Sequence, residues 1–184
     1  MSVIEPGTPA PDFTLRREDG SEFTRADLEG HTTVLVFYPF AFSPVCTDQL
    51  HLYEGVLGEL AEQGVVLYGV SCDSTWAQKA FREKLGVSSE QLSDFEPKGA
   101  ACAAFGVLHE GGFPQRALIA IGPDGVVRWS FQAASPAELP PVELLREGVA
   151  ALAAQALRLS PARSRCDPGA RAPARRAGGR QRVR

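Results

Sequence analysis

The chain turns at Tyr38-Pro39-Phe40-Ala41-Phe42-Ser43-Pro44-Val45-Cys46-Thr47, where an apolar run ends and a helix is predicted to begin. Residues 32–38 are almost continuously apolar and rich in β-branched side chains, which is typical of a strand buried on both faces. Pro39 stops that strand. Ser43 suits the N-cap and Pro44 the first helical position, so the spacing predicts a helix from there to about Glu62.

Cys46 is therefore expected at the third position of that helix. Unpaired backbone N–H groups and the positive end of the helix dipole favour an anion there, so a thiolate is stabilised. The alternative is that Cys46 is a small apolar core residue, as most free cysteines are. Its place after the carboxyl end of a parallel strand, where ligand crevices usually lie, favours a nucleophile.

Composition and charge describe one globular domain with an appendage. The 184 residues are 44% hydrophobic, and the four cysteines include no CxxC pair, which argues against a disulfide framework and a zinc site. Residues 1–7 contain no basic segment followed by an apolar core, and the sequence has no run of roughly 18 apolar residues, so we expect a cytoplasmic protein without a membrane partner. Residues 160–184 contain eight arginines and one acidic residue, whereas the rest of the chain has a net charge of −10.

The order of predicted elements resembles a thioredoxin-like fold. A β-α-β unit is followed by a helix, an antiparallel hairpin and a final helix, which predicts an α/β protein with a central mixed β-sheet flanked by helices and an N-terminal β-hairpin extension. The predicted elements after the corner helix are a strand at 65–71, a helix capped by Asp73 or Ser74 that ends near Leu85, an extended piece at 92–95, a short helix at 99–105, strands at 116–121 and 126–131, and a helix at 141–157.

These elements place the domain boundary near the end of the last helix. Residues 1–158 are expected to form one domain, and 159–184 an Arg/Ala/Pro/Gly-rich tail. The tail has no aromatic residue and little apolar surface to bury, so its composition predicts disorder.

The corner also carries a family resemblance. Pro39-x-x-x-Ser43-x-x-Cys46 resembles the Pro-x-x-x-(Thr/Ser)-x-x-Cys active-site motif of the peroxiredoxins. The resemblance covers about residues 3–157 and is closest to the one-cysteine alkyl hydroperoxide reductase E type of the AhpC/TSA-like superfamily. Further matching segments are Gly7-Thr8-Pro9-Ala10-Pro11-Asp12-Phe13-Thr14-Leu15, Val70-Ser71-Cys72-Asp73-Ser74, Leu92-Ser93-Asp94, Ala104-Phe105-Gly106-Val107 and Arg116.

The resemblance implies a thiol-dependent peroxidase that reduces hydrogen peroxide and alkyl hydroperoxides in antioxidant defence, without a cofactor. It also implies a homodimer. One alternative function stays open: a redox sensor or holdase that uses the oxidised cysteine as a switch. A thiol–disulfide exchange protein is disfavoured, because it needs a cysteine at the position of Ser43. His31, His51 and His109 are too scattered to predict a metal site, and no basic aromatic surface predicts nucleic-acid binding.

The resemblance assigns roles to six residues around the peroxide. Cys46 attacks the peroxide, Arg116 stabilises the sulfur and the leaving oxygen, and Ser43 orients the substrate. Backbone N–H groups near Val45 add donors, Pro39 shields the sulfur, and Gln49 lies on the same helical face as Cys46. Residue by residue, plainer roles remain: Ser43 as a helix cap, Arg116 as a solvated charge, Gln49 as a surface side chain.

The other cysteines decide how the oxidised sulfur is regenerated. His51 stands where Q-type relatives carry a resolving cysteine, which removes that mechanism. Cys72 and Cys102 are candidates, but core packing is the stronger expectation for both, and Cys166 lies in the tail. We therefore expect one peroxidatic cysteine, reduced by an external thiol: a low-molecular-weight thiol, thioredoxin or a glutaredoxin-like protein.

Overall fold

A seven-stranded sheet forms the centre of the molecule. The computed structural model describes the backbone of residues 2–159 and the side chains of residues 2–154. The strands are β1 (Thr14–Arg16), β2 (Glu22–Thr24), β3 (Thr32–Phe37), β4 (Val65–Ser71), β5 (Glu90–Ser93), β6 (Ala117–Ile121) and β7 (Val127–Gln132). The helices are α1 (Pro44–Glu54), α2 (Leu57–Glu62), α3 (Thr75–Leu85), α4 (Ala100–Ala104) and α5 (Val142–Leu159), with a 3₁₀ turn at Arg25–Leu28.

The strand order is β2-β1-β5-β4-β3-β6-β7. Strands β3, β4 and β5 are parallel to one another, β6 is antiparallel to β3, and β7 is antiparallel to β6. Strands β1 and β2 form a hairpin that joins the edge at β5. This arrangement confirms the predicted α/β class, the mixed sheet, the thioredoxin-like fold and the N-terminal hairpin. Within the described residues, no helix is long and apolar enough to cross a bilayer.

Strand β3 is buried on both faces, as its apolar run predicted. Val34 and Val36 belong to a core cluster that includes residues of α5, whereas Leu35 and Phe37 point to the opposite face, into a cluster that includes residues of α4. Because successive side chains of a strand alternate between faces, a strand between two apolar layers needs apolar residues at every position.

The predicted helix from Pro44 to Glu62 is wrong as a single element. Helix α1 ends at Glu54, and Val56 has φ −118° and ψ 0°, outside the helical region, before α2 begins. Gly55 has a poor helix propensity, and Val56 packs with Leu57 against the core cluster on the α5 side. Burial of these two side chains therefore breaks the helix at Val56, directly after a glycine that itself keeps helical dihedral angles.

The capping predictions for α3 are settled in favour of Ser74. Its side chain accepts a hydrogen bond from the backbone N–H of Ala77, and Gly86 closes the helix in the left-handed conformation. Asp73 has a different partner, described below. The predicted tail and Cys166 lie outside the described residues, so the domain boundary stays a prediction.

Candidate active site

The corner between β3 and α1 is held by the next strand of the sheet. The Ala41 N–H donates to Asp73 Oδ2 at 2.8 Å, and the hydroxyl of Ser71 donates to the same oxygen at 2.8 Å. Phe42 has φ +65°, a conformation that costs side chains other than glycine about 1 kcal/mol or more. The Asp73 carboxylate therefore anchors a strained corner, and α1 starts at Pro44, two residues before Cys46.

Cys46 and Arg116 are in contact inside the protein. Arg116 Nη2 lies 3.4 Å from Cys46 Sγ, although the two residues are 70 positions apart in sequence. Neither is accessible, since Cys46 is 0% and Arg116 1% exposed. A permanently charged guanidinium at this distance can donate a hydrogen bond to the sulfur and to an oxygen atom beside it.

Arg116 is fixed by two further partners. Its Nε and Nη2 donate to the carbonyl oxygen of Pro136 at 3.1 and 2.8 Å, and its Nη1 donates to Gln49 Oε1. Gln49 is fully buried, one helical turn after Cys46. Gln49 is therefore not a surface side chain and Arg116 is not a solvated charge, although the sequence allowed both alternatives.

Ser43 occupies the N-cap position of α1, but its hydroxyl makes no capping hydrogen bond. Its backbone carbonyl accepts the first helical N–H, that of Thr47, at 2.9 Å. Pro44 has no N–H, so the first helical turn has fewer donors for a cap to satisfy. The half-buried Ser43 hydroxyl is thus free for a ligand, contrary to the simple cap that the sequence also allowed.

A cavity of about 270 Å³ opens over this site. Its wall includes Ser43, Val45 and Arg116 together with a largely apolar set: Pro39, Phe40, Pro44, Phe113, Pro136 and Ala137. The rings of Phe40 and Phe113 pack with centroids 4.8 Å apart. The cavity can therefore admit a small ligand with an apolar portion and direct its polar end toward the guanidinium.

Buried tyrosines border the site and remain neutral. Burial raises the pKa of Tyr53 to about 12, and burial likewise raises the pKa of Tyr38, whose hydroxyl donates to Gln91 Oε1 at 3.0 Å. Tyr38 packs in one cluster with Cys46, Leu50, Phe81 and Val87. Neither phenol adds a negative charge that would compete with an anion on the sulfur.

The structure brings together Pro39, Ser43, Val45, Cys46, Gln49 and Arg116, all six residues that the sequence singled out. It does not bring Cys72 or Cys102 to them, since both pack in the core cluster on the α4 face. His51 is exposed, with Nε2 3.4 Å from the Leu85 carbonyl oxygen.

Sequence reasoning missed two anchors of the site. Pro136 acts through its backbone carbonyl, which carries no side-chain signal. Asp73 was expected only as a possible helix cap, and the signal that could have found it is an acidic residue two positions after a strand that is parallel and adjacent to β3.

Comparison with known proteins agrees with this geometry. A model described as the AhpC/TSA family matches residues 6–130. Alkyl hydroperoxide reductase E of Mycobacterium tuberculosis (strain H37Rv) is 30% identical over 154 residues, which cover 83% of this chain and 100% of that protein. Peroxiredoxin Bcp of Escherichia coli K12 is 32% identical over 131 residues, 71% of this chain and 80% of its own. The crystal structure of peroxidoxin BcpB from Mycobacterium tuberculosis superposes with a TM-score of 0.69 at 26% identity, covering 82% of this chain and 97% of that one.

Proposed function

The chain belongs to the AhpC/TSA family of peroxiredoxins and is a thiol peroxidase, and on this premise we propose that Cys46 is its peroxidatic cysteine in a one-cysteine cycle. The single observation that supports the assignment is the buried contact of Arg116 Nη2 with Cys46 Sγ at 3.4 Å. Among the three cysteines whose side chains are described, Cys46 alone has an arginine partner.

The first half of the cycle oxidises the sulfur. The Cys46 thiolate attacks the terminal oxygen of a hydroperoxide ROOH, an S–O bond forms as the O–O bond breaks, and the leaving RO⁻ takes a proton to become ROH. Arg116 lies where negative charge moves from sulfur to the leaving oxygen, so it stabilises the transition state more than the ground state. The Ser43 hydroxyl can donate to and accept from the peroxide, and Val45 lines its path.

The second half of the cycle returns the sulfur to the thiol. An external thiol attacks the sulfenic acid and releases water, and a second thiol then frees Cys46 and leaves as a disulfide. The overall reaction converts ROOH and two thiols into ROH, water and a disulfide. The packing of Cys72 and Cys102 in a separate cluster supports this external route over an internal resolving cysteine.

The substrates proposed are hydrogen peroxide and alkyl hydroperoxides. The apolar wall around Phe40 and Phe113 supports acceptance of an organic substituent, since burial of CH₂ groups there contributes about 0.8 kcal/mol each. Hydrogen peroxide needs only the polar end of the site.

The central experiment is stopped-flow oxidation of the reduced chain by hydrogen peroxide and by an alkyl hydroperoxide, beside Cys46→Ser. The fast phase should disappear in Cys46→Ser and persist in a Cys72→Ser, Cys102→Ser double variant. A fast phase that survives loss of Cys46 would remove the assignment.

Mass spectrometry separates the one-cysteine cycle from an internal one. After one equivalent of peroxide without other thiols, Cys46 should carry a sulfenic acid that a trapping reagent labels. A disulfide between Cys46 and any other cysteine of the same chain would show the internal route instead.

Turnover distinguishes the enzyme from a redox sensor or holdase. A peroxidase should consume many equivalents of peroxide with glutathione-like thiols, thioredoxin or a glutaredoxin-like protein, whereas a sensor reacts once and stops. We also propose that the protein is a cytoplasmic homodimer. The rings of Phe40 (47% exposed) and Phe42 (51% exposed) offer apolar surface to a second copy of the chain. Light scattering measures the mass of the particle in solution, which should be twice that of one chain.

A further inference from the structure

Three potential metal ligands meet on the face of the sheet that packs against α4. The ligand atoms of Cys72, Asp94 and Cys102 all lie within 4.8 Å of one another. Cys72 follows β4 and Asp94 follows β5, and these strands are parallel neighbours, so their carboxyl ends lie side by side. Cys102 comes from α4, which follows Asp94 in the chain.

The three residues are buried, and Cys72 and Cys102 belong to the apolar core cluster on the α4 face. Cys72 is 8% exposed, Asp94 3% and Cys102 0%. No lysine, arginine or histidine forms a salt bridge with Asp94 in the part of the chain whose side chains are described. An ionised carboxylate in such a place is costly without a cation, and a bound metal ion would supply one.

The Asp94 carboxylate is already oriented by the backbone. Its Oδ1 accepts the N–H of Ala101 at 3.1 Å and its Oδ2 accepts the N–H of Cys102 at 2.8 Å. Hydrogen bonds of this kind hold metal-binding carboxylates in place in known metal sites. The thiol of Cys102 also hydrogen-bonds to this carboxyl group, so a bound metal ion would take the place of the thiol proton.

We propose that Cys72, Asp94 and Cys102 bind a thiophilic divalent metal ion of the Zn²⁺ class, apart from the peroxide site. Two thiolates and one carboxylate select Zn²⁺ or Co²⁺ over Mg²⁺ and Ca²⁺, which prefer oxygen ligands alone. Three protein ligands leave the fourth tetrahedral position for water. The ion would connect the ends of β4 and β5 to α4.

This proposal departs from the sequence prediction of no metal site. That prediction relied on the lack of a CxxC pair, and here the ligands come from three separate elements, 22 and 8 residues apart in sequence. A search for CxxC pairs detects only ligands that one short segment of the chain contributes.

Cobalt titration of the reduced full-length chain, without oxygen, tests the site. We expect one molar equivalent to bind with the visible bands of tetrahedral Co²⁺ and a thiolate-to-cobalt charge-transfer band, and Zn²⁺ to displace it. Cys72→Ser and Cys102→Ser should each weaken binding at least tenfold and reduce the charge-transfer band. X-ray absorption of the zinc form should show two sulfur ligands.

Matched cysteine variants identify the ligands. Cys46→Ser and Cys166→Ser should bind cobalt as the parent does. If Cys102→Ser does not fold, the partly accessible Cys72→Ser decides alone, and the persistence of fast Cys46 oxidation shows that a variant is folded. Absence of the tetrahedral bands, their loss in Cys46→Ser or Cys166→Ser, or equal binding by Cys72→Ser would overturn the proposal. A Cys72–Cys102 disulfide that forms in preference to metal binding would overturn it as well.

Discussion

At the level of single residues, the site depends on one buried cation. Arg116 donates to a carbonyl, an amide oxygen and a sulfur, so its charge is solvated by the protein in place of water. A guanidinium held in this way does not need to reorganise when charge moves onto the leaving oxygen. Gln49 acts on the chemistry only through Arg116, and we regard it as a positioning residue.

Replacement of Arg116 by alanine is expected to slow Cys46 oxidation by about 100- to 1000-fold, the usual effect of removing one transition-state donor. Arg116→Lys should recover part of the rate, because it keeps the charge but loses the fork that reaches sulfur, Gln49 and Pro136 together. Stopped-flow oxidation at fixed pH measures both variants.

Arg146→Ala is the matched control for this experiment. Arg146 pairs with Glu59 at 3.0 Å on the exposed surface of α5, so its loss removes the same side chain without touching the site. The oxidation rate should be unchanged. An equal loss of rate in both variants would mean that charge in general, not the Cys46 contact, is responsible.

At the level of elements, the corner is built from neighbouring strands rather than from α1 alone. Asp73 at the end of β4 accepts the Ala41 N–H, and Gln91 of β5 accepts the hydroxyl of Tyr38, the residue at the start of the corner. The geometry of Cys46 therefore depends on the correct register of β4 and β5 against β3.

Gly69→Ala tests the packing of β4 against β5. A Cβ at Gly69 would overlap the Gln91 amide, with Cδ only 2.8 Å away, and that amide is already tied to Tyr38 and to the Ser89 carbonyl. We expect the free energy of unfolding to fall by about 1 to 3 kcal/mol, the range for overpacked cores. Denaturant unfolding measures it.

The control is Gly58→Ala in α2, where a Cβ meets no atom within 4 Å. That change should stabilise the chain by about 0.5 to 1 kcal/mol, because alanine has the better helix propensity. Equal destabilisation by both substitutions would argue against the Gly69 contact with Gln91.

The 3₁₀ turn at Arg25–Leu28 makes a pH-dependent contribution. The backbone N–H of Thr24 donates to Asp27 Oδ2 at 2.8 Å. This hydrogen bond lowers the pKa of Asp27, and the Thr24 hydroxyl and the Arg17 guanidinium lower it further. A carboxyl group whose pKa is lowered by folding stabilises the fold at pH values above its pKa in the unfolded chain, about 3.9. That contribution is lost as the pH falls through the pKa of the folded chain. Asp27→Asn should cost about 1 kcal/mol at neutral pH, the usual value of a capping contact.

Unfolding curves at several pH values check this expectation. The difference between the parent and Asp27→Asn should shrink on acidification and vanish once Asp27 is protonated in both states. A difference that stays constant down to low pH would assign the effect to packing instead of charge.

At the level of the whole molecule, the segments that form the peroxide site are all connected to strands of one sheet. The corner, the strand after Arg116 and the loop around Pro136 all belong to the described domain, between Pro39 and Ala137. The described residues that line the site lie between Pro39 and Ala137, and residues 160–184 change the net charge of the chain from −10 to −3.

Truncation after Leu159 is therefore expected to leave the rate of Cys46 oxidation unchanged. Steady-state turnover with a small thiol should also be unchanged, because that reductant needs no docking surface. Peroxidase assays of the truncated and full-length chains at low and high salt measure both; a loss of rate at low salt alone would reveal an electrostatic role of the arginines.

Much of the fold and of the site followed from sequence patterns. The doubly buried β3 and the antiparallel hairpin of β6 and β7 were predicted, and the cap of α3 was predicted to be Asp73 or Ser74, because these features depend on residues close in the chain. The uninterrupted helix to Glu62 was wrong, since tertiary burial of Val56 and Leu57 outweighed helix propensity.

The sequence alone determined that Cys46 sits in the first turn of a helix after a buried strand, since strand, proline and cap act within about ten residues of each other. Only the tertiary structure decided that Arg116 reaches the sulfur, that Asp73 holds Ala41, and that Cys72, Asp94 and Cys102 meet. The physical reason is that contacts between distant segments depend on strand order, register and side-chain packing, which no local pattern encodes.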